Sequence, residues 1–479
     1  MNGAMIVYIL GQVLRIEGLL MLPSFFVGLC YGEKQGWAYL IMGAVCLVLG
    51  TLITLKKPKN TTIYLKEGCA STALCWIVLS AFGAIPFVMT GEIPRFIDAM
   101  FETVSGFTTT GSSILTDVEA MSHPSLFWRS FTHWIGGMGV LVFLLAVLPM
   151  AGGSQFQLMK AESPGPSVGK LVPKVGATAR LLYIIYFALT AVTIILLLLG
   201  GMDPFDAVAI GFGTAGTGGF GVRADSCASY STYCIWVITI FMLLFGVNFN
   251  FYYYLVFNRV RDAFKMEEVR WYVLIVLGAT VICTVPLLSE LSAFESVTHA
   301  AFQVATIITT TGFATMDFDL WHSAVRTVLV LLMFCGACAG STGGGIKVSR
   351  LLILGKTLRA ELHKLLHPHA VVRATMDGKP LSSEAVRGTQ AYLVAFVTLF
   401  LASTFLLSRE GLGLETTLSA TLTTLNNMGP GTSAVIGPFG GFGGFSALSK
   451  VVMIFNMLLG RLEIFPVLLL LRPSTWRKH

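Results

Sequence analysis

The chain is 479 residues long, 55% hydrophobic and only 12% charged, with a mean hydropathy of +0.77. Those values lie outside the range of soluble globular proteins and identify an integral membrane protein. The net charge of +7 is concentrated in a few short loops, so no nucleic-acid partner is needed to explain it.

A helix needs roughly 20 apolar residues to cross a bilayer. Ten such spans are predicted, at 5–30, 36–55, 68–90, 125–150, 178–201, 233–257, 271–290, 325–347, 389–408 and 449–471. The first keeps Arg15 and Glu17 in its middle and has no small-residue cleavage site, so it reads as a retained helix rather than a signal peptide. Lys and Arg gather on alternate loops: four at 56–66, four at 160–180, four at 259–270, eight at 347–387 and three after 471. Basic short loops stay in the cytoplasm, which predicts that both termini are cytoplasmic.

After two N-terminal transmembrane helices (1–60), the chain divides into four units of one design: 61–155, 156–265, 266–375 and 376–479. Each reads as helix, short half-helix, Gly-containing bend, helix. The bends are TTTG ending at Gly111, GTGG at Gly219, TTTG at Gly312 and NNMG at Gly429. Asp98 and Asp206 each stand 13 residues before their Gly, whereas Glu295 stands 17 before Gly312, so the third half-helix should carry one extra turn. A half-helix and bend facing lipid would leave backbone groups unpaired, but they are tolerated around a water-filled pore. Any one copy alone is equally an outer loop; four in near-register point to a pore.

The bends contain no carboxylate, and backbone carbonyls suit an ion that must exchange its hydration shell without being trapped. Glycine supplies the backbone freedom this requires. Asp117, Asp225 and Asp317, just beyond three bends, either draw cations to the outer mouth or are solvated loop residues. Below the bends, Gly340 to Lys347 (GSTGGGIK) interrupts the third unit's last helix, and an intramembrane loop there would block the cavity. Arg461 lies inside MLLGRLEIF, where a central Arg costs roughly 2.5–3.5 kcal/mol on insertion scales, so it should face a polar interior. A helix-packing Gly cluster and a structural salt bridge are the alternatives for these two features.

Other signals are weaker. G-x-G-x-x-G at 211–216 follows no strand. His363, His367 and His369 belong to a solvated basic cytoplasmic helix rather than a metal site, and Cys335 and Cys338 lie in an apolar helix. Cys227 and Cys234 sit toward the outer face, and the sequence leaves their pairing open.

Taken together, FETVSGFTTTGSS around Gly111, HWIGGMGVLVFLLAVLPM at 133–150, ESPGP at 162–166, GACAGSTGGGIK at 336–347, HPHAV at 367–371, TLNNMGPG at 424–431 and NMLLGRLEIF at 456–465 resemble the TrkH branch of the Trk/Ktr/HKT superfamily of potassium transporters. The resemblance implies an all-α polytopic membrane protein, with four pseudo-repeated helix/pore-loop/helix units around a central pore plus two extra N-terminal helices. It also implies a homodimer in the bacterial inner membrane. The K⁺ filter would comprise Thr109, Thr110 and Gly111; Thr217, Gly218 and Gly219; Thr310, Thr311 and Gly312; and Asn427, Met428 and Gly429. The gate would comprise Gly340, Gly343, Gly344, Gly345, Lys347 and Arg461. K⁺ is the permeating ion, no organic cofactor is expected, and a cytosolic TrkA-type nucleotide-binding subunit is the implied partner. Sodium-conducting members carry Ser at the first filter Gly; all four positions are Gly here, which favours K⁺. A coupled symporter using Na⁺ or H⁺ is the alternative, and the spans show no constellation for an enzyme.

Overall fold

In a computed structural model that describes residues 2–60, 62–139, 175–370 and 373–476, the described residues are helical apart from loops and one minimal hairpin, Thr375–Met376 with Lys379–Pro380. Six helices among them are long and apolar enough to cross a bilayer without a break: Gly3–Tyr31, Gly36–Thr54, Leu65–Thr90, Ala179–Leu199, Glu267–Leu287 and Ser383–Glu410. Phe187, Ile195, Leu277, Val281, Leu401 and Phe405 on these helices are all more than half exposed, as suits residues facing lipid rather than water. The two leading helices approach closely through small residues. A Cβ on Gly18 would stand 2.5 Å from the Gly43 carbonyl oxygen, and one on Gly50 2.6 Å from that of Gly11.

Four short helices form the interior: Phe96–Phe107, Pro204–Gly216, Ala293–Ile308 and Leu414–Asn426. We call them pore helices one to four. Their C-terminal halves are buried on all sides, inside the ring of long helices. The third has 16 residues against 12 or 13 in the others, the extra turn predicted from the position of Glu295. Each starts with an acid in its first turn, Asp98, Asp206, Glu295 or Glu415, which complements the positive end of the helix dipole. Three of these acids are paired across the fold, Asp98 with Lys450, Asp206 with Arg223 and Glu415 with Arg326, while Glu295 closes a capping box on Ser292.

The helix after the bend is interrupted earlier than the sequence predicts in units two, three and four. These inner helices run His123–Gly137, Thr232–Phe245, Ser323–Cys335 and Ala447–Arg461. The span expected over 233–257 bends by 89° between Phe245 and Phe249. The one expected over 325–347 stops at Cys335, and helix resumes only at Val348. The one expected over 449–471 breaks after Arg461, where Glu463 (φ +54°) and Ile464 (φ +71°) are left-handed. Hydropathy averaged over a whole span misses the interruptions because apolar residues and glycine outnumber polar ones at each break; of the three, GSTGGGIK alone announces its own in the sequence. The later part of the span expected over 125–150, and the 162–166 string, lie outside the described residues.

Candidate ion-conducting site

The pore helices end in one repeated turn. Thr109, Thr217, Thr310 and Asn427 adopt left-handed φ values of +56°, +51°, +58° and +54°. In each case the next N–H reaches back five residues: Thr110 to Ser105 O (2.9 Å), Gly218 to Gly213 O (2.9 Å), Thr311 to Thr306 O (2.8 Å) and Met428 to Thr423 O (2.9 Å). This is the six-to-one hydrogen bond of a Schellman cap, whose left-handed position is normally Gly or Asn. Three of the four here are Thr, a β-branched residue that rarely takes this conformation, at a cost of about 1–3 kcal/mol each. Gly111 (+79°), Gly219 (+82°) and Gly312 (+94°) turn the backbone left-handed a second time. Gly429, followed by Pro430, does not, so the fourth unit departs from the others at this residue.

The four turns close a ring. A Cβ on Gly111 would run into the Gly218 carbonyl oxygen, and one on Gly219 into that of Thr311. On Gly312 it would stand 3.1 Å from Gly429 N, and on Gly429 3.0 Å from Gly111 O. Contacts therefore pass from unit one through two, three and four and back to one. All four glycines line a single cavity of about 190 Å³ that opens on the mouth side. Side chains brace the turns internally, Thr108 to Thr110 (2.8 Å) and Thr309 to Thr311 (2.7 Å), and tie unit four to unit one, Asn427 Nδ2 to Thr110 Oγ1 (3.0 Å) and Ser112 Oγ to Gly429 O (3.1 Å).

Behind this ring is polar scaffolding that sequence reasoning missed. Glu102 of pore helix one and Arg129 of the first inner helix form an ion pair at 2.8 Å, with side chains 0% and 2% exposed. Glu102 also accepts from Ile114 N (3.0 Å) and Ser113 Oγ (2.9 Å), while Arg129 donates to Gly221 O (3.3 Å) and lies 4.1 Å from the Phe220 ring centre. The pair thus fixes the segments just after Gly111 and Gly219. Losing one partner of such a buried pair costs about 3–5 kcal/mol. The His133 imidazole lies against Gly218 where a Cβ would otherwise sit. A lone Glu, Arg or His in a pore helix or span was the only signal available, because each partner is remote in sequence.

Asp117, Asp225 and Asp317 are absent from the residues lining the mouth cavity. Asp117 accepts from Glu119 N (3.0 Å) and Asp317 from Asp319 N (3.0 Å), so both cap local turns, while Asp225 meets Ser229. Asp319, on the same mouth-side loop, is more confined. Burial pushes its carboxyl from 3.8 up to about 6, partly offset by Arg326 at 3.8 Å. The folded chain then holds this proton more tightly than the unfolded chain, so the stability contribution is full below 3.8 and is lost as pH rises through about 6. Asp319→Asn should raise the thermal unfolding midpoint more at about pH 8 than at about pH 4, read in detergent by intrinsic fluorescence.

Beneath the ring lies the interruption expected from GSTGGGIK. Gly344 N donates to Thr310 Oγ1 (2.7 Å), Gly345 N to Asn426 O (3.0 Å), and Thr217 Oγ1 to Thr342 Oγ1 (3.2 Å). The loop therefore touches units two, three and four at or beside their left-handed turns. Lys347, left-handed at φ +82°, is buried and donates its Nζ to Gly343 O. Arg461 completes the arrangement on the first unit's side. Its guanidinium donates to Thr342 O (2.9 Å), Thr109 Oγ1 (3.4 Å), Gly137 O (2.8 Å) and Gly136 O. It thus meets carbonyls and the Thr109 hydroxyl, as a cation facing a polar interior should. Nearby, Glu463 pairs with Arg350, which also stacks 4.0 Å from the Tyr392 ring centre.

The structure thus brings together all twelve predicted filter residues and the predicted gate residues. Gly340 contributes its carbonyl, which accepts from Phe249 N at 3.0 Å. The G-x-G-x-x-G string falls within pore helix two, and its glycines serve packing: a Cβ on Gly216 would strike the His133 carbonyl and one on Gly211 would stand 2.5 Å from Ile194. Cys227 and Cys234 are buried free thiols, and no cluster able to hold a metal through His, Cys, Asp or Glu occurs among the described residues.

Comparison with known proteins agrees with this architecture. The family model TrkH, described as cation transport protein, matches residues 35–478. The Trk system potassium uptake protein TrkH of Escherichia coli K12 is 34% identical over 475 residues, 97% of each chain. Its counterpart in Halomonas elongata is 32% identical over 485 residues, with full coverage of both. The crystal structure of the potassium transporter TrkH from Vibrio parahaemolyticus superposes with a TM-score of 0.89 at 31% identity, over 100% of each chain.

Proposed function

The chain belongs to the TrkH family of cation transport proteins, and on that premise we propose that it takes up potassium across the bacterial cytoplasmic membrane. The observation that carries this reading is the closed ring of four left-handed turns, with Gly111, Gly219, Gly312 and Gly429 on one cavity. Peptide oxygens of Thr109 to Gly111, Thr217 to Gly219, Thr310 to Gly312 and Asn427 to Gly429 replace the hydration shell of K⁺. The C-terminal ends of the four pore helices abut these turns, so their partial negative charges favour a cation there. The Gly340 to Lys347 loop and Arg461 form the gate, with fixed positive charge directly under the filter.

The basic loops put both termini and residues 347–387 in the cytoplasm. That basic segment is the docking surface for a TrkA-type nucleotide-binding subunit, and the protein works as a homodimer with one pore per chain. The test is ⁸⁶Rb⁺ uptake into proteoliposomes containing the purified chain. Uptake driven by a K⁺ gradient alone, competed by K⁺ far better than by Na⁺, is the expected result. Strict dependence on a Na⁺ or proton gradient would establish coupled symport instead.

A further inference from the structure

The carboxylate of Glu268 sits in the first turn of the helix Glu267–Leu287, outside the filter and the loop, and is 4% exposed. Its Oε1 accepts from the backbone N–H of Ala339 (2.6 Å) and from that of Ser349 (3.1 Å). Its Oε2 accepts from Asn248 Nδ2 (3.3 Å). Ala339 immediately precedes Gly340, and Ser349 follows Lys347 by two residues, so one carboxylate holds both ends of the interrupted segment. Asn248 stands at the 89° bend of the second unit's inner helix, and the adjacent Phe249 N–H donates to Gly340 O at 3.0 Å. Two units are thereby tied to the same end of the loop.

A carboxylate joining two backbone amides is stronger than neutral hydrogen bonds and fixes the distance between them. From this geometry we infer that Glu268 is a positioning residue for gating: it clamps the ends of the Gly loop and so holds the loop against the filter turns. The inference rests on the gating reading given above. The preceding residue gives the clamp a route to the basic side of the protein. Glu267 pairs with Lys356, whose Nζ also donates to Thr375 O (2.7 Å), and Glu267 N donates to Asp377 Oδ1 (2.7 Å). The first turn of this helix therefore grips the loop with one acid and the Thr375–Pro380 hairpin with its neighbour. A partner that shifts the hairpin moves the clamp.

The test uses the full-length chain in proteoliposomes, with ⁸⁶Rb⁺ uptake measured across a range of K⁺ concentrations for wild type, Glu268→Ala, Glu268→Gln and Arg461→Ala. Glu268→Ala should raise the maximal rate by about tenfold, equivalent to roughly 1.4 kcal/mol of lost anchoring, with the K⁺ concentration at half-maximal uptake within about twofold of wild type. Glu268→Gln keeps one carbonyl for the two amides and should give a smaller rise of about threefold. A role confined to folding would lower the amount of active protein and would not raise the rate. Should the Ala variant fail to fold, the isosteric Gln variant decides on the same terms. A wild-type rate in the Glu268 variants beside a raised rate in Arg461→Ala overturns the clamp and leaves the gate standing. A shift in half-maximal K⁺ without a higher rate also overturns it, because the carboxylate would then be supporting the filter. Wild-type rates in all three variants overturn the gate and the clamp together.

Discussion

Gly111→Ser is expected to lower the preference for K⁺ over Na⁺ by about tenfold or more and to reduce K⁺ flux with it. Two observations converge on this position. Its φ of +79° is accessible to Gly at no cost and strained for Ser. A Cβ there would also run into the Gly218 carbonyl oxygen, one of the proposed ligands in the neighbouring unit. To accommodate Ser, the Thr109 to Gly111 turn or the Thr217 to Gly219 turn must move. Displacing an oxygen from a ring fitted to a larger dehydrated ion removes the advantage of that ion. Competition of ⁸⁶Rb⁺ uptake by K⁺ and by Na⁺, run side by side on wild type and variant, measures the change. The fourth position supplies an internal comparison: Gly429 is not left-handed, and the nearest atom to its Cβ stands 3.0 Å away, so Gly429→Ser should cost less.

Arg461→Ala is expected to raise basal uptake by about tenfold to a hundredfold. The guanidinium ties the loop, through Thr342 O, to the first unit, through Thr109 Oγ1 and the carbonyls of Gly136 and Gly137. Hydrogen bonds from a charged donor contribute about 1.5–3 kcal/mol each, so loss of even one changes the closed-to-open balance by an order of magnitude. The substitution also removes a positive charge from directly beneath the proposed filter, where low dielectric would strengthen its repulsion of an entering cation. Arg461→Lys separates the two effects: it keeps the charge but not the fork that spans loop and helix. Uptake near the wild-type level in Arg461→Lys assigns the gate to charge, and uptake near that of Arg461→Ala assigns it to the hydrogen bonds.

The membrane class and the four Gly-containing bends at the ends of short helices were legible in the sequence because each depends on local text. The bends carry Gly, the pore helices begin with an acid, and Arg461 is conspicuous in an apolar run. The extra turn of the third pore helix followed from counting residues between Glu295 and Gly312 alone. The interruption at GSTGGGIK was legible from its glycines, whereas the breaks after Phe245 and Arg461 were not, because no run of glycines marks them and Phe245 and Ile464 are as apolar as most residues around them. The left-handed Thr residues were hidden for the same reason. Thr109 and Thr310 have no local preference for that conformation, and the closed ring holds them in it. Ion pairs such as Glu102 with Arg129, and Arg350 with Glu463, bring together residues that a reading by loops can only count as charges. Of the two readings left open for the carboxylates beyond the bends, the local one fits Asp117 and Asp317, which accept from backbone N–H groups of their own turns.

The central claim is that peptide oxygens of four quasi-equivalent turns hold a dehydrated alkali ion on one axis. Crystals of the protein grown with Tl⁺ in place of K⁺ test it most directly through anomalous scattering. Peaks encircled by the backbone of Gly111, Gly219, Gly312 and Gly429 are the predicted result, and they should weaken when Na⁺ replaces Tl⁺. Anomalous density confined to carboxylates elsewhere, with none inside the ring, would contradict it.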